Sequence, residues 1–267
     1  MYSKFKLAQK YLQYYVTASN GKGHGIHSPF VFDFVNSILN DQSIYPCYDL
    51  VENLRYELLH DRSMMDVMDF GAGPAAGHSK KRSVASIARH SAKSRKMGQL
   101  LFRISRFFRP GVILELGTSL GISTAYLASG NPGAKVISLE GAAAIASRAA
   151  QNLAGLQLTN VEPVTGNFDH SLPAMLSSLH PRRIDLAFID GNHRKEPSLR
   201  YFDLLVPFMS DESLIIFDDI HWSQEMEETW IAIKKDSRVL LSIDLFFFGL
   251  VFFRNEFKVP QHFTIRF

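Results

Sequence analysis

From residue 93 onward the apolar positions alternate between two patterns. Short strand-like segments occur at "GVILEL" (111–116), "AKVISLE" (134–140), "VEPVTG" (161–166), "IDLAFID" (184–190) and "SLIIFDD" (213–219). Between them lie stretches with the three-to-four-residue apolar spacing of helices: "SRKMGQLLFRISRFF", "ISTAYLAS", "AAAIASRAAQNLAGL", "LPAMLSSL", "SLRYFDLLVPFM" and "QEMEETWIAIKK". Strands that alternate with helices predict a doubly wound, mostly parallel, Rossmann-like sheet, seven-stranded when the last apolar run is counted as two strands. That run, Val239 to Arg254, has no helix inside it, so its two strands are expected to pair as a hairpin, which makes one of them antiparallel.

Before residue 93 the pattern is helical and irregular. "KFKLAQKYLQYYV" has helical spacing, and "SNGKGHG" breaks it. "HSPFVFDFVNSIL" is read as a second helix with Ser28 as its N-cap and Pro29 in its first turn. "DLVENLRYELLHDR" gives a third. "MMDVM" (64–68) is a poor strand by this reading. The expected division is a helical N-terminal extension or lid over 1–92 and a cofactor-binding domain over 93–267.

Two segments place an acid beside a glycine-rich loop: "DFGAGPAAG" (69–77) and "LELGTSLGIST" (114–124). A nucleotide-type cofactor needs a buried strand, glycines that let the backbone approach, a helix N-terminus, and an acid at the end of the next strand for the ribose hydroxyls. The second segment meets all four, with Glu140 standing 25 residues after Glu115. The first has Pro74 in its loop and a long basic stretch after it, and no strand ending in an acid comes next. It is expected to be a structural turn or part of a substrate-side lid.

Composition narrows the class. An apolar content of 46% suits a chain with a full core. The single cysteine, Cys47, leaves no internal disulfide framework and suits a reducing cytoplasm. The N-terminal residues lack the apolar core of a signal peptide. The run from Val239 to Phe253 is shorter than the ~20 residues a spanning helix needs. Net charge is +3, but 80–109 contains ten Lys and Arg residues and no acid. This stretch is either a solvated helix face or a surface for an anionic partner such as RNA.

With "KMGQLLFRI", "LELGTSLGIST", "SLEG", "TGNF", "LAFIDGNH" and "IIFDDIHWS" in register, residues 93–254 resemble the class I S-adenosylmethionine-dependent methyltransferases, in the catechol and caffeoyl-CoA O-methyltransferase branch. The "GKGHGIHSPFVF" segment looks like one found in bacterial O-methyltransferases of unassigned substrate. The resemblance implies S-adenosylmethionine as cofactor, held by the loop from Glu115 through Gly117, Thr118, Ser119 and Gly121. Ser123 would meet the cofactor carboxylate, Glu140 and Gly141 the ribose, and Asn167 and Phe168 the adenine. Phe168 reads equally well as core. It also implies Mg²⁺ or another divalent cation on Asp190, Asp218 and Asp219, although strand-end carboxylates also cap helices.

His193 falls where relatives carry a lysine base, and histidine is suited to that work near neutral pH. His221 reads as a second base or an outer ligand, and Trp222 as a pocket wall or a core residue. His24 and His27 would reach the pocket only if their segment folds over it. The expected activity is O-methylation of a small hydroxylated acceptor by a protein that, like many relatives, forms a homodimer. The alternatives are RNA methylation, a non-catalytic module on the same fold, and an NAD-dependent oxidoreductase, which the glycine spacing disfavours.

Overall fold

The computed structural model describes residues 1–23, 27–68, 79–179 and 183–267. In chain order its elements are α1 (Lys4–Thr17), α2 (Pro29–Phe34) continued by a π-helical turn (Val35–Leu39), α3 (Pro46–His60), β1 (Met64–Met68), β2 (Ser79–Ser83), α4 (Val84–Ser91), α5 (Arg95–Phe108), β3 (Val112–Leu116), α6 (Ile122–Gly130), β4 (Lys135–Glu140), α7 (Ala143–Gly155), β5 (Val161–Thr165), α8 (Phe168–Leu179), β6 (Leu186–Ile189), α9 (Lys195–Leu205), β7 (Leu214–Asp218), α10 (Gln224–Lys235), β8 (Leu241–Asp244), β9 (Phe248–Phe252) and β10 (Gln261–Thr264). No helix among the described residues is long and apolar enough to cross a membrane.

The chain divides into two compact units. Unit one comprises Met1–Asp41 and Arg183–Phe267. Its strands run β10-β8-β9-β7-β6. β6 and β7 are parallel, β9 is antiparallel to both β7 and β8, and β10 is parallel to β8. The antiparallel pair matches the expected closing hairpin. β10 is an addition to the seven expected strands. Its four residues are short and not fully buried, so they carry no core-facing pattern. β6, β7, β8 and β9 are buried at every position, which is why they are mostly apolar, with Asp218, Ser242 and Asp244 as the buried polar exceptions. α1 joins this unit through Tyr14, whose hydroxyl donates to the Ile265 carbonyl and whose ring packs on Phe246.

Unit two is Gln42–Arg182. Here β3, β4 and β5 are parallel in that order, and α5 lies against α6. A Cβ on Gly98 of α5 would fall 2.4 Å from the Tyr126 ring of α6, so these helices approach as only glycine permits. α5 caps itself with Ser94 and buries Leu100, Leu101 and Ile104 completely.

The same unit adds a strand pair to the region read as helical and irregular. Met64–Met68 and Ser79–Ser83 form an antiparallel pair. "SKKRS" has no apolar member, so this strand owes its existence to its partner and not to a buried face. The glycine-rich 69–77 segment, expected to be a structural turn or part of a lid, lies outside the described residues. Ser28 is the N-cap of α2, as expected, accepting from the Val31 N–H.

Candidate functional site

In unit two the loop after β3 is shaped by backbone conformation. Gly117 and Gly121 have φ of 105° and 88°, and Ser119 has φ of 46°. The first two values need glycine. The third turns the Ser119 N–H toward Glu140, whose Oε2 accepts it at 2.8 Å. The other oxygen of Glu140 accepts from the Ala142 N–H at 3.0 Å. Glu140 stands at the end of β4, and burial raises its pKa against the pull of the Ala142, Ser119 and Gly141 amides.

Glu115 has a different task. It is fully buried, and its Oε2 accepts from Thr124 Oγ1 at 2.5 Å and from Ser138 Oγ at 2.6 Å. Thr118 Oγ1 lies 2.6 Å from the same Ser138 hydroxyl. An unpaired buried carboxylate would cost several kcal/mol, so these bonds stitch the loop and α6 to β4 from beneath. Ser123 is buried in the first turn of α6, where the helix dipole favours an anion. Asn167 Oδ1 accepts from the Asp169 N–H at 3.0 Å and so starts α8, while Phe168 is half-buried at the head of that helix. Ser91, the last residue of α4, touches Ser119 hydroxyl to hydroxyl at 2.6 Å.

In unit one the residues after β6 and β7 converge. One ligand atom each from Asp190, His193 and Asp218 lies within 4.8 Å of the others. His193 Nε2 is 3.4 Å from Asp190 Oδ1. Burial lowers the His193 pKa, but the Asp190 hydrogen bond and the charges of Asp190, Asp218 and Asp219 outweigh it, so the net shift is upward. Asp219 is not a member of the three. With φ of 53° it turns the chain out of β7, and its carbonyl accepts from the Trp222 N–H at 2.9 Å. Asn192 and His193 also have positive φ, 69° and 38°. Backbone conformations of this cost gather where a site needs a side chain aimed against local preference. The Trp222 ring is 5.6 Å from the His193 ring. His27 is exposed, and His24 lies outside the described residues.

His221 does not join this group. Its Nδ1 is 3.0 Å from Glu227 Oε1 and its Nε2 is 2.9 Å from Asp244 Oδ2. Burial lowers its pKa, and the two carboxylates more than reverse that. With both nitrogens facing carboxylates the ring is a double donor, so it is not placed to take a proton from an acceptor. The basic stretch is also partly committed: Arg103 is buried, and the Arg106 guanidinium lies 4.9 Å from the centre of the Tyr45 ring.

The comparisons agree on the fold. Residues 114–220 match the family model described as a methyltransferase domain. Comparison with curated proteins finds no match. Among solved structures, the chain is similar to an O-methyltransferase from Bacillus cereus in complex with SAH (S-adenosylhomocysteine), at 20% identity and TM-score 0.55, covering 84% of this chain and 97% of that one. It is similar to the SAH-bound methyltransferase PaMTH1 of Podospora anserina at 14% identity and TM-score 0.59, covering 85% and 97%. It is also similar to the O-methyltransferase TomG of Streptomyces achromogenes, in complex with SAM (S-adenosylmethionine) and involved in tomaymycin synthesis, at 18% identity and TM-score 0.54, covering 80% and 92%. The fold is thus the Rossmann-like one of the S-adenosylmethionine-dependent O-methyltransferases.

Proposed function

We propose that the protein is an S-adenosylmethionine-dependent O-methyltransferase acting on a small hydroxylated acceptor in the cytoplasm. The observation that carries the acceptor chemistry is the meeting of Asp190, His193 and Asp218 at the ends of two neighbouring strands. The cofactor half of the reading rests on the loop of unit two and on the SAM- and SAH-bound proteins that share the fold.

In this reading Glu140 takes the ribose hydroxyls, and Gly117, Ser119 and Gly121 shape the loop that receives the methionine end. Ser123 and the α6 N-terminus meet the carboxylate. Glu115 and Thr118 hold the loop from below. Gly141, Asn167 and Phe168 line the adenosine side.

The acceptor oxygen must lose its proton to attack a sulfonium methyl. His193 takes that proton at Nδ1, while Asp190, facing Nε2, orients the ring and stabilises the imidazolium that forms. Asp190 and Asp218 also fit a divalent cation. Mg²⁺ and Mn²⁺ bind through one or two carboxylates and keep their remaining positions for water and substrate oxygen. Such an ion, when bound, would lower the acceptor's hydroxyl pKa. Asp219 then contributes negative charge near His193 and no ligand atom.

The test is transfer of labelled methyl from S-adenosylmethionine to a panel of hydroxylated aromatic compounds, with Mn²⁺ or Mg²⁺ and with chelator. Transfer that is lost in Asp190→Ala supports the reading. A panel without turnover, beside salt-sensitive methylation of bulk tRNA, would move the acceptor to RNA.

A further inference from the structure

The N-terminal helix is tied to the segment after β7 by a closed set of charges. Glu227, in the first turn of α10, accepts from Lys10 Nζ at 2.8 and 2.9 Å and from the Tyr2 hydroxyl at 2.8 Å. Its Oε1 also faces His221 Nδ1. On the far side of His221, Asp244 receives Nε2, the Trp230 indole N–H at 3.1 Å and the Phe246 amide at 2.9 Å. The His221 ring stacks on Phe246, with centroids 5.1 Å apart and planes 24° apart.

Lys10, Glu227, His221 and Asp244 thus form one partly buried chain of bonds. Pairs of this kind, held by several donors, fix geometry more than they add stability. What they fix is the turn that carries Trp222. The Tyr2 N–H donates to the Trp222 carbonyl at 3.0 Å, so the start of α1 grips that residue directly. The Trp222 ring in turn stands beside His193.

We infer that α1 is a strap: Lys10 and Tyr2, through Glu227 and His221, are positioning residues that set Trp222 as the wall beside His193. This inference rests on the proposed methyl transfer. It gives His221 a bracing role in place of the catalytic one expected from sequence. It also gives the N-terminal segment a function that does not require it to open and close.

The experiment uses Glu227→Gln, which keeps shape and removes charge, and Lys10→Met, which keeps the aliphatic stem and removes the ammonium. Amide hydrogen exchange of residues 219–223, S-adenosylmethionine affinity and methyl-transfer kinetics are measured on the full chain. The strap predicts about tenfold faster exchange over 219–223 and about tenfold lower kcat in both variants. Cofactor affinity should stay within about twofold, since the cofactor loop belongs to the other unit. Lys10→Arg should restore most of the kcat. Exchange and kcat equal to wild type in both variants would overturn the strap, as would faster exchange with unchanged kcat. Wild-type protein that binds no S-adenosylmethionine overturns the methyltransferase reading and, with it, the positioning role. Cofactor binding by wild type beside unaltered variants overturns the strap alone.

Discussion

Replacing Gly121 by alanine separates two reasons for a glycine in the cofactor loop. One is room for a ligand, and the other is the loop's own geometry. Gly121 has φ of +88°, and a Cβ there would lie 3.3 Å from Leu153 Cγ and 3.6 Å from the Ala149 carbonyl oxygen, both on α7. The left-handed conformation costs an L-residue about 1–2 kcal/mol. Crowding against a packed helix adds roughly 1–2 kcal/mol more. Gly121→Ala should therefore lose about 2–4 kcal/mol without any cofactor present. For a chain of this size that is a melting temperature lower by roughly 5–10 °C. The assay is thermal unfolding followed by circular dichroism, with and without S-adenosylmethionine. A cofactor-free melting temperature within about 1 °C of wild type, with cofactor affinity reduced, would refute the argument and make the glycine a matter of ligand approach.

Four further outcomes follow from the structure. Glu140→Ala should weaken S-adenosylmethionine binding at least ~100-fold, since two charge-assisted hydrogen bonds at about 1.5 kcal/mol each are lost; a calorimetric Kd within about threefold of wild type would contradict this. Burial holds the Glu140 pKa above its ordinary 4.5, and the carboxylate is the form that binds ribose. Affinity should therefore fall as pH drops toward that raised value, beginning above 4.5, and Glu140→Gln should flatten the profile. His193→Asn should lower kcat by roughly 10²-fold or more with cofactor affinity unchanged. His221→Asn should instead cost stability, about 2–3 kcal/mol by urea unfolding, because Glu227 and Asp244 lose a shared donor.

The sequence made most of the sheet legible for a physical reason. A strand buried on both faces is mostly apolar, and "VILEL", "LAFI" and "LIIFD" are apolar apart from Glu115 and Asp218. The β1–β2 pair was hidden by the same logic. "SKKRS" is polar throughout, so no hydrophobic period announces it. β10 carries no such signal, because its four residues, three half-buried and His262 exposed, give no alternation to count.

The site was legible as a set of motifs but not as a set of contacts. "FID", "DGNH" and "FDD" put candidate residues at two strand ends. Which side chains meet depends on the sign of φ at Asn192, His193 and Asp219, and residue type says little about that. His193 took the place expected of Asp219 in the close group of three. The bracing of His221 depends on Lys10 and Glu227, 217 residues apart in the chain, and on Asp244. No local pattern carries such a pairing.

The most direct test of the account is a calorimetric titration of the full chain with S-adenosylmethionine. The account predicts one cofactor bound per chain with affinity in the micromolar range, typical of enzyme ligands, and loss of that binding in Glu140→Ala. Folded wild-type protein that takes up no S-adenosylmethionine, or that binds NADH in its place, would contradict it.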